Sequence, residues 1–425
     1  MLKRRDFLKT AGLAGGSLLM PGLSGRALAA KPRAHVVVVG GGYGGATAAK
    51  YLRMWSGGAV DVTLVERDPQ FISCPISNLV IGGVKTLADI TLGYEGLRDT
   101  WGVKVVKDEV TAIDPAARTL RLAAGGTLSW DRLVLSPGVD FQFDQVPGLD
   151  SEAARGRILH AWKAGAQTVA LRAQLEAMPD GGVYALTIPL APYRCPPGPY
   201  ERACVVADYF RRAKPKSKVL VLDANAEIIS KKALFMQAFA RYKGILEYRP
   251  NSALREVDAA SRTAVLDFEN VQADVLNVVP PQRAGAIAAQ AGLKLINGRW
   301  VDIDWLTFES VNTPGVHVLG DAIFPAPTMP KSGHMANQHA KVAAAAILRL
   351  LAGEAPNPAP VVMNTCYSFV DASHVIHVSS VHQYDAAQRT VLPVAGAGGV
   401  SAEASEQEGR YALAWAHNIW ADMLA

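Results

Sequence analysis

Cysteine is scarce in this sequence: 425 residues hold four, Cys74, Cys195, Cys204 and Cys366. No two of them have C-x-x-C spacing, which argues against a zinc ribbon or a thioredoxin-type dithiol. Without C-x-x-C-H, the chain carries no c-type haem of its own. An excess of one charge is also lacking once the chain is divided. The formal net charge is +5, but residues 1–30 hold five basic side chains against one acidic, which leaves 38 basic and 37 acidic. A nucleic-acid partner thereby loses its main support. Beyond the first thirty residues no stretch reads as one of the apolar runs of roughly 20 residues that span a bilayer, so no membrane span is expected. Disorder is excluded too, because half the residues are hydrophobic and only 19% are charged. A chain of this length holds two or three domains, each with its own core.

The N-terminus reads as an address. Lys3-Arg4-Arg5-Asp6-Phe7-Leu8-Lys9 precedes a short Gly-rich apolar run and the small-residue exit Ala27-Leu28-Ala29. This pattern describes a secretory signal peptide over residues 1–30. Its paired arginines resemble the twin-arginine signal, which exports folded proteins. A soluble periplasmic protein follows from that reading, and a cofactor bound before export would supply the motive.

His35-Val36-Val37-Val38-Val39 is a β-branched run that leads into Gly40, Gly42 and Gly45, spaced G-x-G-x-x-G. Ala46 to Met54 reads as a helix and Asp61 to Glu66 as a second strand. Glu66, 26 residues after Gly40, stands where an acid accepts from a cofactor's ribose hydroxyls. The glycines admit the backbone to a pyrophosphate that faces the positive end of the helix. Further along, Leu133-Val134-Leu135-Ser136-Pro137-Gly138 resembles the strand-to-turn segment of flavoproteins with two dinucleotide domains. Gly315-Val316-His317-Val318-Leu319-Gly320-Asp321-Ala322 resembles their second flavin motif, in which the aspartate holds the ribityl and phosphate region. About 180 residues separate the two motifs. That spacing fits an FAD domain, residues 33–148 and 288–352, interrupted by a second domain at 149–287. FAD is therefore favoured over NAD at Gly40.

The inserted domain keeps strands at Gly182–Ile188 and Lys218–Asp223 but has no glycine fingerprint between them. In its place stands Pro189-Leu190-Ala191-Pro192-Tyr193-Arg194-Cys195-Pro196-Pro197-Gly198-Pro199. Prolines remove the N–H donors that would cradle a pyrophosphate. The expected fold class is α/β, with two Rossmann-like dinucleotide-binding domains of glutathione-reductase type, the second degenerate. A C-terminal α+β domain, residues 353–425, completes it.

Several segments carry a more specific likeness: Arg194-Cys195-Pro196-Pro197-Gly198-Pro199-Tyr200-Glu201-Arg202-Ala203, Asn364-Thr365-Cys366-Tyr367-Ser368, Pro330-Lys331-Ser332-Gly333 and Pro280-Pro281-Gln282-Arg283-Ala284-Gly285. Together they resemble the flavoprotein subunit of flavocytochrome c sulfide dehydrogenase. The resemblance implies hydrosulfide as substrate, sulfur or polysulfide as product, and a separate c-type cytochrome subunit that carries haem. It implies a redox-active disulfide between Cys195 and Cys366 beside the flavin, and a covalent thioether from Cys74, within Ser73-Cys74-Pro75-Ile76-Ser77-Asn78, to FAD. In an exported protein the plain reading of a cysteine pair is a structural disulfide. Cys204, in an apolar helical stretch, reads as a core thiol.

Glu201 is the acid–base candidate near the cysteines; pairing with Arg194 or Arg202 is its structural alternative. Lys331-Ser332-Gly333 precedes a helix from Met335 to Leu350, whose N-terminus would favour negative charge on the flavin. Gly138 and Asp321 complete the flavin set. His334 departs from family members that have tyrosine there. His374, His377 and His382 do not share a strand face and receive no metal role. Two other functions stay open. One is a sulfide:quinone oxidoreductase, with Tyr411 to Trp420 as an apolar helix face. The other is a non-catalytic flavin-containing accessory subunit of a sulfur-oxidising complex.

Overall fold

A computed structural model describes residues 33–425; the signal-peptide reading lies outside the described residues. Residues 34–425 form one compact unit. Its first sheet runs Glu309–Ser310, Thr313–Val318, Arg132–Leu135, His35–Val39, Asp61–Glu66, Lys104–Lys107. All neighbours are parallel except the short first strand. Val36, Val37 and Val38 are fully buried, as expected of a parallel strand covered on both faces. Strands from both sides of the insert thus make one sheet, and the ends of His35–Val39 and Thr313–Val318 bring the two flavin motifs together.

The second sheet is four-stranded and wholly parallel, ordered Leu246–Arg249, Lys218–Asp223, Val183–Ile188, Val275–Val278. Asp223 ends its second strand, as Glu66 ends the second strand of the first sheet. Here the acid is used internally. The hydroxyls of Tyr200 and Tyr248 donate to Asp223 at 2.7 and 2.9 Å, and Asn225 adds two more bonds. The Tyr200 side chain is fully buried, so the protein's own groups occupy the Asp223 carboxylate.

The third sheet is an antiparallel meander, Val361–Phe369, Val375–Asp385, Thr390–Val400. The helix Glu406–Leu424 follows it. Ala412, Ala416, Ile419, Trp420 and Met423 of that helix are buried and join the same core as the first sheet. Among the described residues, no helix is long and apolar enough to cross a membrane. Helices begin earlier than the sequence pattern suggests: Tyr43 rather than Ala46, and Gly333 rather than Met335. In both cases glycines serve as the opening turn, where hydrophobic periodicity gives no signal.

Candidate functional site: a flavin cleft with two cysteines

One cleft, with about 1510 Å³ of space free of protein atoms, runs from the glycine turn to the third sheet. Its run from the glycine turn to the third sheet suits an extended cofactor. Ten of the thirteen residues expected at the site line it: Gly42, Glu66, Cys74, Gly138, Cys195, Glu201, Asp321, Ser332, Gly333 and Cys366. Gly40, Gly45 and Lys331 do not.

The two glycines act behind the wall. Gly40 has φ +96°, and a Cβ there would lie 2.4 Å from the Ser136 carbonyl oxygen. A Cβ on Gly45 would lie 1.8 Å from the Gly40 carbonyl oxygen. A Cβ on Gly42 would meet nothing within 4 Å and enter the cleft. Glu66 accepts the N–H groups of Gly41 and Asp68 at the rim. Asp321 is half-buried, and one of its carboxylate oxygens is buried without any hydrogen-bond partner. Burial raises its pKa against the pull of Arg194 and Lys331. An open glycine cradle at a helix N-terminus, an acid at the second strand and an orphaned acceptor in the same cleft fit the phosphates and hydroxyls of FAD.

Cys195 sits in a left-handed conformation, φ +57°, which a non-glycine residue keeps only when its surroundings fix it. Its N–H donates to the Lys331 carbonyl at 2.9 Å, and its own carbonyl accepts the Gly198 N–H at 2.9 Å. A Cβ on Gly198 would lie 2.8 Å from the Cys195 sulfur, so glycine is required where the helix Gly198–Ala213 begins. Cys366 lies on the strand Val361–Phe369. Asn364 donates to its sulfur at 3.2 Å, and Ser332 donates to Asn364 at 2.6 Å. The Lys331-Ser332 step therefore braces both cysteines, one through backbone and one through a side-chain relay. Both are free thiols in the structure, and burial raises the pKa of each.

Glu201 is buried and lines the same cleft. Asn78 donates to one carboxylate oxygen at 2.9 Å and the Phe369 N–H to the other, also at 2.9 Å. Burial raises the Glu201 pKa despite these bonds. Neither arginine of the alternative reading hydrogen-bonds it. Arg202 is spent on the carbonyls of His160 and Ala161 and on Asn78 and Asn277. Arg194 faces the cleft beside Cys74, Asp321 and Cys195, which raise its pKa although burial opposes its charge.

The Lys331 ammonium points into the protein rather than into the cleft. It donates to the carbonyls of Asp321 and Ile323 and lies 3.7 Å from the centre of the Trp300 ring. Burial lowers its pKa to about 7. Arg194 lines the cleft, whereas Lys331, expected among the flavin-binding residues, does not. Cys74 lines the cleft, its sulfur accepting the Ala164 N–H at 3.4 Å. Cys204 is wholly buried in the core of the second sheet. Asn78 and Asn364 were missed as individuals, although each lies within a quoted motif, and Arg194 was weighed only as a partner for Glu201.

Family models match three stretches. "Sulfide dehydrogenase [flavocytochrome c] flavoprotein chain, central" covers residues 168–280, and "Flavocytochrome c sulphide dehydrogenase, flavin-binding" covers 358–424. "Pyridine nucleotide-disulphide oxidoreductase" covers 34–171. A flavoprotein chain of sulfide dehydrogenase (flavocytochrome c) from Chlorobaculum thiosulfatiphilum is 58% identical over 46 residues, 11% of this chain and 94% of that one. The chain belongs to the flavocytochrome c sulfide dehydrogenase flavoprotein family. The chain is also similar to a sulfide:quinone oxidoreductase: the mitochondrial protein of Mus musculus is 26% identical over 313 residues, 70% of this chain and 67% of the relative. The fold matches the crystal structure of the Aquifex aeolicus sulfide:quinone oxidoreductase with a TM-score of 0.75, at 18% identity, over 92% of this chain and 91% of that one. The family match covers the segments that hold Cys195, Glu201, Lys231 and Cys366.

Proposed function

We propose that the protein is a periplasmic sulfide dehydrogenase flavoprotein that oxidises hydrosulfide through a Cys195–Cys366 disulfide and FAD and passes electrons to a c-type cytochrome subunit. One observation carries the reading. Cys195 from the loop before the helix Gly198–Ala213, Cys366 from the third sheet and the buried Glu201 carboxyl line the one cleft that starts at the glycine cradle. Hydrosulfide adds to the Cys195 sulfur, the S–S bond breaks, and its electron pair leaves on Cys366 as a thiolate. Cys195 is left as a persulfide, whose proton the Glu201 carboxylate takes. A further hydrosulfide lifts the sulfane sulfur away as polysulfide. FAD, when bound, supplies the two-electron sink that can empty one electron at a time into haem. Gly42 and Asp321 would hold its phosphates and ribityl chain, and Arg194 would face its ring with positive charge.

The acceptor is tested by anaerobic sulfide titration of the holoprotein, followed by addition of an oxidised c-type cytochrome or of decylubiquinone. Cytochrome reduction is the expected result. Reduction of the quinone alone would make the protein a sulfide:quinone oxidoreductase, and a flavin that stays oxidised would make it an accessory subunit.

The covalent link through Cys74 is tested by acid precipitation. The flavin is expected to stay with the wild-type pellet and to pass into the supernatant for Cys74→Ser. Release from both would remove the link.

Glu201 yields a pH prediction. A carboxyl whose folded pKa is raised keeps its proton to higher pH, so base catalysis fades as pH falls through that raised value. Glu201→Gln is expected to slow flavin reduction about a hundredfold and to lose this acidic limb. Hydrosulfide's own ionisation stays in both profiles. A mutant profile parallel to wild type would sink the role.

A further inference from the structure

Adjacent lysines in Ile229-Ser230-Lys231-Lys232 have opposite fates. Lys232 is exposed and paired with Glu227. Lys231 is buried, in a left-handed conformation with φ +54° at the start of the helix Lys232–Ala240. Its ammonium crosses from the second sheet's layer to the third sheet. There it donates to the Ser368 hydroxyl at 2.8 Å and to the carbonyls of Cys366 at 3.0 Å and Ile376 at 3.5 Å. All three acceptors are neutral, and Lys231 has no ion pair among the described residues' salt bridges. A buried cation without a carboxylate contact is costly.

The charged and titratable groups around it come from every neighbouring element. Cys366 is on its own strand, Glu201 on the helix Gly198–Ala213, Cys195 in the preceding loop, and Glu408 on the C-terminal helix. Glu408 is bonded to His377 and Ser401. Arg194 acts on Cys195, and Arg202 acts on Glu201. Burial lowers Lys231 to about 8, while Cys366 is the foremost group raising it. In turn, Lys231 is the foremost group opposing the burial that raises Cys366. The anion that would favour the buried ammonium most, ahead of Glu201, Cys195 and Glu408, arises when Cys366 loses its proton or its sulfur partner.

We propose that Lys231 is a positioning residue of the cysteine pair: anchored on the Cys366 carbonyl and Ser368, it is the fixed cation that holds the Cys366 sulfur as a thiolate when the pair opens. This rests on the redox reading of Cys195 and Cys366. Lys231 acts in the pH range below about 8, where it holds its proton, and forms no bond to sulfur.

The test is iodoacetamide alkylation of Cys366 against pH, in reduced Cys195→Ser holoprotein, read by mass spectrometry. Adding Lys231→Met is expected to raise the alkylation midpoint by about one pH unit, which slows alkylation at neutral pH about tenfold. Lys231→Arg should restore most of the loss, and Ser368→Ala, which loosens the anchor, should shift the midpoint less in the same direction. The Ser368→Ala arm stands even where Lys231→Met fails to fold. An unmoved midpoint in both Lys231→Met and Ser368→Ala, or an equal rise in Lys231→Arg, would reduce Lys231 to a scaffold residue. Sulfide is absent from this assay. A shifted midpoint therefore stands even where sulfide proves not to react, and an unmoved one fails the inference even where sulfide bleaches the flavin.

Discussion

Sulfide added anaerobically to Cys195→Ser is expected to leave its flavin yellow, with reduction slowed by at least about a thousandfold, as loss of a covalent nucleophile or its partner does elsewhere. The serine hydroxyl can occupy the same left-handed position, because what fixes that conformation is the Lys331 carbonyl and the Gly198 N–H, not the sulfur. The fold and the cofactor should therefore persist, and dithionite should bleach the variant as fast as wild type. The specific loss is the disulfide: with no sulfur at position 195, hydrosulfide has no S–S bond to enter. Cys366→Ser should fail equally, since each cysteine is useless without its partner, and the double variant should be no worse than either single one. That non-additivity is the signature of two groups acting as a unit. Cys204→Ser should behave as wild type toward sulfide, because Cys204 is buried in a separate core. Bleaching of Cys195→Ser at the wild-type rate would mean that sulfide reduces the flavin directly, and the pair would then be structural.

Much of this site was legible in the sequence because its parts are marked by local chemistry. His35–Val39 is readable since a strand buried on both faces admits little but β-branched residues. The turn after it is readable since only glycine tolerates the contacts at Gly40 and Gly45. What stayed hidden is the long-range wiring. Glu201 meets Asn78 across 123 positions and Phe369 across 168, and no periodicity in the chain encodes such a meeting. Lys331 marks the other limit. Its motif is local and its backbone does brace Cys195, but where its ammonium points depends on the Trp300 face and the Asp321 and Ile323 carbonyls. A sequence motif identifies the segment, while packing decides which atom of it serves the cleft. Arg194 shows the converse: it stands beside the expected cysteine, yet its direction toward the cleft follows from the left-handed turn at Cys195 and the commitment of Arg202 elsewhere.

Gly42 and Gly45, three positions apart, should respond to substitution in opposite ways. Gly42 has φ −71° and ψ −167°, an extended backbone that any residue adopts, and a side chain there enters only the cleft. Gly42→Val is therefore expected to leave the apoprotein's stability within about 0.5 kcal/mol of wild type, with no flavin retained on purification. The valine would occupy the space through which the backbone N–H groups approach a pyrophosphate. Gly45→Ala should do the reverse in order of cause. Its methyl would lie 1.8 Å from the Gly40 carbonyl oxygen, and a backbone atom cannot swing aside as a side chain can. The helix must move off the strand, at about 3 kcal/mol or more, and the flavin is lost because the turn is lost. Urea unfolding of apoproteins, compared in a Cys74→Ser background where the flavin is releasable, separates the two, and the ratio of flavin to protein absorbance reports binding. Gly42→Val with a full complement of flavin would place the cofactor elsewhere than this turn. A Gly45→Ala protein as stable as wild type would show that helix and strand can part at no cost, which the close passage of the chain at Gly40 argues against.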